Sequence, residues 1–308
     1  MLIGTIQQIW RHPVKSMAGE KLNDCIVESR GIPGDRGWAL RDETTGEITN
    51  GKRIPLLMQC AARYREQPTN VIVPHVDLTF PDGTHSASDY KHVNSRISEV
   101  LGKKVTLWPL QPPSNKAHYR RNTTGARIAG RMGRIQSFRS LLPKLTSFGT
   151  MNRQLREMFA REPHEPVPDI SVLPPELLEF TSPPGTYFDA FPIHVLTTAS
   201  LETMGRLNPT AAWDVRRFRP NVLIKTNEEI QGLVEAGWQG RILRLGSVEL
   251  KCEIPTARCG MTTHAQPGLA KDPTVLRTIV KDADQNLGSY ATVVQAGCIC
   301  EGDPVELL

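Results

Sequence analysis

From Arg241 to Cys252 the chain reads Arg-Ile-Leu-Arg-Leu-Gly-Ser-Val-Glu-Leu-Lys-Cys. Leu243, Leu245, Val248, Leu250 and Cys252 alternate with Arg244, Glu249 and Lys251 about a central Gly246-Ser247. A period of two puts the apolar set on one face of a sheet, and a glycine-led pair between two such runs closes a hairpin. No other stretch constrains the fold so firmly. Leu40-Arg41-Asp42 with Gly46-Glu47-Ile48-Thr49 indicates a second hairpin. Further strands are expected at Tyr64-Arg65, at Val71-Ile72-Val73, at Asp77 to Phe80 before Pro81-Asp82-Gly83, at Ser289 to Gln295, and at Pro304 to Leu307. Helices are fewer. Asp272-Pro273 is an N-cap and first-turn pair for a helix through about Asp284, and residues 91–101 end at Gly102, a helix-stopping glycine.

The pattern is mainly β with a few helices, an α+β composition in which short strands favour closed, barrel-like sheets over a doubly wound fold. With 308 residues, 39% apolar and 22% charged, the chain can form one large or two medium domains. No apolar run approaches the ~20 residues of a membrane span, and the first residues lack the pattern of a signal peptide, so a cytoplasmic protein is expected. The six cysteines are unevenly spaced and do not make a disulfide framework. Cys298-Ile299-Cys300 is too close for an ordinary bridge, and its two thiols are expected on opposite sides of a sheet. No Gly-x-Gly-x-x-Gly or Walker-type loop is present, and pyridoxal phosphate is not expected.

Two features carry the chemistry. In Lys251-Cys252-Glu253-Ile254-Pro255-Thr256-Ala257-Arg258-Cys259-Gly260-Met261-Thr262-Thr263, a strand-like run stops at a proline and hands Cys259 to a loop. A thiolate is the reactive and metal-binding form of cysteine, and Arg258 beside it favours that form. Cys252, inside the strand, reads as a small core residue. Upstream, Arg216-Arg217-Phe218-Arg219-Pro220-Asn221 sets three arginines before an apolar strand. Guanidinium groups stay charged and offer a planar fork of donors, which suits phosphate or the edge of a heterocycle. A solvated charged face is the ordinary alternative. His12, His194 or His264 paired with Cys259, with Asp189 as orienter, would instead make a Cys-His hydrolase. Trp10, Trp38, Trp108 and Trp238 read as core.

Near the N-terminus lie Trp10-Arg11-His12-Pro13-Val14-Lys15-Ser16-Met17 and Gly31-Ile32-Pro33-Gly34-Asp35-Arg36-Gly37-Trp38. With the arginine cluster and Thr-Ala-Arg-Cys, these motifs resemble, in order, the MOSC family with its N-terminal MOSC-associated β-barrel region. The resemblance runs from residue 3 to 307 and is poor only around 116–170. It implies an N-terminal β-barrel-like domain over 1–115, an insertion or linker over 116–170 and a C-terminal MOSC β-barrel over 171–308. The best understood members are molybdenum enzymes, amidoxime-reducing proteins and bacterial relatives among them. By resemblance Cys259 is the molybdenum ligand and catalytic residue, and Arg258, Lys15, Ser16, Arg36, Arg217, Arg219 and Asn221 line the pterin and its phosphate. Lys52 takes the spacing of a family arginine with Arg53 beside it, which leaves open the one that faces the cofactor. Thr197 and Ser200 fall in a stretch that leads into a helix near it. His264-Ala265-Gln266-Pro267 lacks the acid that many relatives place there.

The cofactor so implied is Mo-molybdopterin, held by a soft thiolate and fixed cations, and the activity is reduction of N-hydroxylated or related N–O or S–O compounds. Electrons are expected from a separate donor protein, with small-molecule substrates and neither nucleic acid nor membrane as partner. Sulfur transfer through a persulfide on Cys259, or non-catalytic carriage of the cofactor, are the alternatives. Residues 116–161 hold two Lys and nine Arg against Glu157 alone, roughly +10 in a chain of net +5. That segment reads as a solvated insertion, a docking face for an acidic redox partner or a lid over the substrate entrance.

Overall fold

The computed structural model describes residues 1–69, 71–122, 149–174 and 176–308. Strand β1 (Leu2–Arg11) buries Ile3, Ile6 and Ile9 and pairs with β2 (Glu20–Leu22), after which β3 (Asp24–Val27) follows. The second expected hairpin is present: Arg41 of β4 (Trp38–Asp42) lies opposite Ile48 of β5 (Glu47–Ile48). Next, β6 (Ala61–Tyr64), β7 (Val76–Thr79) and β8 (His85–Ala87) form an antiparallel meander. Helix α1 (Val93–Leu101) then leads into β9 (Val105–Pro109), which returns to β4. Val93, Ile97 and Leu101 recur every four residues and bury one stripe of α1. Its end is Gly102, whose φ of 61° is free to a residue without a Cβ. Trp38, Leu40, Ala62, Leu78, Ile97 and Leu107 meet in one core, so the two small sheets and the helix pack as a unit.

Between the halves lie α2 (Lys116–Tyr119), α3 (Gly149–Phe159) and the single turn α4 (Glu176–Glu179). The middle of the basic segment, residues 123–148, lies outside the described residues. The second half contributes β10 (Ile193–Thr197), α5 (Thr198–Leu207), β11 (Val222–Thr226), β12 (Ile242–Leu245), β13 (Val248–Ala257), α6 (Pro273–Asp282), β14 (Asn286–Gln295), β15 (Gly297–Cys300) and β16 (Pro304–Leu307). Seven strands close into a barrel in the order β11, β10, β14, β13, β12, β16, β1, with β1 returning to β11. The β12–β13 hairpin turns at Gly246-Ser247 as read. Ile6, Ile9, Val195, Leu243, Leu250, Cys252 and Ala291 fill the interior, while α5 and α6 pack outside through Met204, Val275 and Ile279. Burial raises the Cys252 thiol to about 11, consistent with a packing residue. Asp272 caps α6 through the Thr274 N–H.

Three local expectations fail. Pro255 does not end its strand: β13 runs on to Ala257, and the proline sits where the register with β14 shifts, a place that needs no ladder N–H. Val71 and Ile72 are an exposed loop, because the Thr69 hydroxyl accepts both their N–H groups and so replaces a strand partner. Cys298 and Cys300 share one exposed face with Ile299 buried beneath, as residues two apart on a strand must. Trp38 and Trp238 are core, whereas Trp10 and Trp108 are half-buried. No described helix is long and apolar enough to cross a membrane.

Because β1 is a stave of the barrel, Ile9→Ala should destabilise the whole second half. The expected loss in denaturant unfolding is about 2–5 kcal/mol in a single transition; a loss below ~1 kcal/mol would mean that β1 is not integral to the barrel.

Candidate functional site

The barrel seam builds the site. Asn221, at the start of β11, accepts the His194 N–H at 3.0 Å and donates through Nδ2 to the Trp10 carbonyl at 3.3 Å and to Asp35 at 3.0 Å. Asp35 also accepts the His12 N–H at 2.7 Å and one edge of Arg36. The end of β1, the Gly-Asp-Arg turn and the start of β11 are therefore fixed to one another. All of Asn221's side-chain capacity is used within the protein, which makes it a staple of the site. Ser16, Arg36 and Arg219 each take a left-handed backbone, with φ of 68°, 52° and 53°. Non-glycine residues there cost of order 1–3 kcal/mol, and such outliers concentrate at functional sites.

Lys15 is buried and donates to the Tyr187 carbonyl and the Asp189 carboxylate, both at 2.7 Å. Burial lowers its pKa and Asp189 opposes that shift. Asp189 keeps more than half its side-chain exposure, 56%, and its confined surroundings would raise its pKa. The cations Lys15, Lys52 and Arg36 outweigh that and hold it well below the usual carboxylate range. Asp189 thus keeps Lys15 charged and is a poor proton donor. Ser16 accepts the Gly51 N–H at 3.0 Å, and Lys52 lies over the Phe159 ring with no ion-pair partner among the described residues. Arg53 points elsewhere, to Glu47 at 2.8 Å.

The arginines separate by what their donors touch. Arg258 sends Nε to the Leu287 carbonyl at 2.8 Å, Nη1 to the Phe218 carbonyl at 3.1 Å and Nη2 to His194 at 2.6 Å. This packing requires Gly288, where a Cβ would come within 2.5 Å of His194 Nε2. Arg217, 2% exposed, donates to the carbonyls of Ala212, Thr262, His264 and Ala270, and so ties down the loop that follows Cys259. Both are tethers of the cysteine loop. Arg219 differs: Nη1 reaches the Met17 carbonyl, but its buried Nη2 has no partner. Burial and the neighbouring Arg36 both press against its charge. His12 is 3% exposed, and neither ring nitrogen makes a well-formed hydrogen bond, with only a weak interaction with the Pro220 backbone. Burial, then Arg219 and Arg36, hold its pKa well below that of an ordinary histidine. Crowded cations and orphaned buried nitrogens fit an anionic, hydrogen-bonding group such as a pterin phosphate.

Cys259 is half-buried two residues beyond β13, where its carbonyl accepts from Thr262. Tyr290 of β14 interacts electrostatically with Asp189, Arg258, Cys259 and Arg36, and burial, first, keeps its hydroxyl protonated. Thr197 caps α5 and its N–H, with the Ser200 hydroxyl, binds the buried Glu235. Those two residues therefore serve a carboxylate that the sequence reading missed. Asp35 and Tyr290 were also missed; Asp35 was legible as the acid between Gly34 and Arg36, whereas Tyr290 is one alternating strand residue among several. None of His12, His194 and His264 is hydrogen-bonded to Cys259 among the described residues: His194 is bound to Arg258, His12 lies among Arg36 and Arg219, and burial depresses His264. No group of three His, Cys, Asp or Glu among the described residues could hold a metal, so a metal here would depend on Cys259 and donors from a cofactor.

Two predictions arise. Arg217→Ala should lower unfolding free energy by about 1–3 kcal/mol, because four carbonyls lose a buried donor, whereas Arg219→Ala should leave it within about 1 kcal/mol and reduce retention of an anionic ligand. Equal stability losses in thermal unfolding would refute that division. His12 and His194 are held uncharged in the fold, so they take up protons on unfolding as pH falls through about 6.5. Stability should therefore fall as pH is lowered from 7.5 to 6, by up to roughly 1.4 kcal/mol per unit per histidine, and His12→Gln should remove about half the slope. Glu235, raised by burial, acts in the opposite sense; a flat profile unaltered by His12→Gln would show that His12 is solvated.

Family models match the chain in two parts, the first of which includes β1 although that strand belongs to the barrel of the second half. The model of the MOSC N-terminal beta barrel domain matches residues 3–109, and that of the MOSC domain matches residues 184–306. Mitochondrial amidoxime-reducing component 1 of Mus musculus is 25% identical over 324 residues, covering 99% of this chain and 83% of the mouse protein. The Homo sapiens protein of that name is 24% identical with the same coverage. Among solved structures, the YUAD protein from Bacillus subtilis aligns over 100% of this chain and 96% of its own at 10% identity and a TM-score of 0.41. With both domains present in this order on one polypeptide, the chain belongs to the MOSC family.

Proposed function

We propose that the protein is a molybdenum-cofactor oxidoreductase that reduces N-hydroxylated or related N–O or S–O compounds, with Cys259 as the metal's protein ligand. The observation that carries this reading is the pairing of an accessible thiol with a buried anion cradle in which Arg219 Nη2 and the two ring nitrogens of His12, one donor and one acceptor in the neutral imidazole, are left without a well-formed hydrogen bond in the protein. A soft thiolate and fixed cations are what a metal on a phosphorylated pterin needs. The names of the mouse and human relatives support the substrate class.

When bound, the cofactor supplies the two-electron chemistry that breaks the N–O bond. The net reaction takes two electrons and two protons and releases the oxygen as water. The protein's part is positional and electrostatic. Arg36, Arg219 and His12 would bind the anionic group, with Lys15 kept charged by Asp189 at its side. Arg258 and Arg217 hold the peptide on either side of Cys259, so the thiol keeps one orientation. Tyr290, with its hydroxyl protonated, is placed to donate a hydrogen bond near the reacting centre. Electrons would come from a separate donor protein, docking on the basic segment 116–161 outside the part that covers the site.

Protein made in a host that synthesises the cofactor should carry molybdenum near one atom per chain, read by elemental analysis, and release an oxidised fluorescent pterin. Cys259→Ser should abolish reduction yet retain part of the pterin, because a serine hydroxyl stays protonated near neutral pH while the cradle is intact. Cys252→Ser should lower stability and leave activity per folded molecule. Metal-free wild type carrying sulfane sulfur on Cys259 would replace this reading with persulfide transfer; full activity in Cys259→Ser would end both.

A further inference from the structure

The described end of the basic segment lies on the cysteine loop. After α3, Ala160 takes a left-handed backbone, φ 52°, and turns the chain back so that Arg161 is only 7% exposed. Arg161 donates Nη2 to the Arg258 carbonyl at 2.8 Å, Nε to Gln285 Oε1 at 3.2 Å and Nη1 to the Phe159 carbonyl at 2.9 Å. Arg277 of α6 binds the Ala160 carbonyl and the Glu165 carboxylate. On the other side, the Phe159 ring lies 5.3 Å from Lys52 Nζ and 5.7 Å from the Arg161 guanidinium carbon. Residues 159–165 are thus tied to both halves of the molecule. They also press on the peptide just beyond the thiol: a Cβ on Gly260 would stand 2.9 Å from that of Ala160. Only glycine at 260 permits this approach. Moving the strap aside would strand a buried guanidinium and the Arg258 carbonyl without partners, so it is a rigid wall.

We propose that Phe159, Ala160 and Arg161 are specificity-determining residues, forming a steric wall that closes the Gly260 side of Cys259. This rests on the oxidoreductase reading above for its substrate class. With one side closed, the centre admits N–O groups carried on an unbranched head, such as amidoximes, hydroxamic acids and hydroxylamines. It turns away N–O groups crowded by substituents on nitrogen, such as tertiary amine N-oxides. Arg161 acts through the Arg258 carbonyl and is a positioning residue; Phe159 anchors the wall.

The wall can be tested on the full chain without cofactor. Cys259 and the exposed Cys298 are alkylated with iodoacetamide or with fluorescein maleimide, and each is followed by peptide mass spectrometry. The Cys259-to-Cys298 rate ratio should be about tenfold lower for the bulky reagent in wild type, a barrier of roughly 1.4 kcal/mol. Phe159→Ala should abolish most of that difference. Ala160→Gly places glycine where the left-handed backbone favours it, so it keeps the test open should Phe159→Ala not fold, and it should shift the ratio the same way by less. A wild type with no size discrimination, or discrimination unchanged in both variants, overturns the wall. In the molybdenum-loaded enzyme, Phe159→Ala should raise kcat/KM for trimethylamine N-oxide relative to benzamidoxime, and an unchanged ratio overturns the substrate class. Size discrimination in protein that never holds molybdenum would keep the wall and refute the oxidoreductase reading; molybdenum without discrimination would do the reverse.

Discussion

The closure of the barrel by its first strand is the contact on which the rest of the molecule depends. β1 and β11 are separated by some two hundred residues of chain, yet Ile9 lies opposite Val222, and the Trp10 N–H meets the Asn221 carbonyl at 2.8 Å. A closed barrel leaves no unpaired edge. Here closure has a second effect, since β1 runs directly into His12, Lys15 and Ser16. The seam therefore sets the position of the motif that reaches toward the cysteine. Asn221 and Asp35 lock that seam with side-chain bonds, and a network so fully determined can hold Ser16, Arg36 and Arg219 in left-handed backbone conformations.

Buried arginines do two kinds of work in this protein, and the distinction rests on counting acceptors. A guanidinium has five N–H donors and no acceptor, so burial is tolerable only where carbonyls converge. Around Arg217 and Arg258 they do, because loops and strand ends leave carbonyls without ladder partners. Those side chains stiffen the loop that carries Cys259. Around Arg219 they do not, and Arg36 stands close enough to oppose its charge.

Much of this was legible locally. The alternation about Gly246-Ser247 gave its hairpin, Asp272-Pro273 its helix and Gly102 its stop, because each depends on neighbours in sequence. Lys15, Ser16, Arg36, Arg219 and Cys259 were proposed for the site because they stand in short motifs, and the fold brings several of those segments together at the seam. What sequence could not show is which donor meets which acceptor. Arg217 and Arg219 look alike two residues apart, and only the loop carbonyls of Thr262, His264 and Ala270 separate them. Arg161 was hidden for another reason: in a run of nine arginines nothing marks the one that folds under α3. Pro255 misled because a proline forbids a ladder bond and not a strand.

The charges near the thiol show what a bound anion would meet there. Asp35 offsets Arg36 and Asp189 offsets Lys15, each in direct contact. His12 and His194 are held neutral, so they contribute dipoles and no charge. Arg258 and Arg161 spend their donors on carbonyls and neutral side chains, whereas Arg219 keeps a buried nitrogen unpaired and Lys52 lies over Phe159 with no ion-pair partner among the described residues. Burial and Arg36 both oppose the charge on Arg219, and Asp189 and Asp35 offset this. Both Arg36 and Arg219 are fixed inward, by Asp35 and by the Met17 carbonyl. The opposition of these two cations is thus built in, and a dianion such as a phosphate monoester bound between them would turn it into attraction at a point set by the barrel seam.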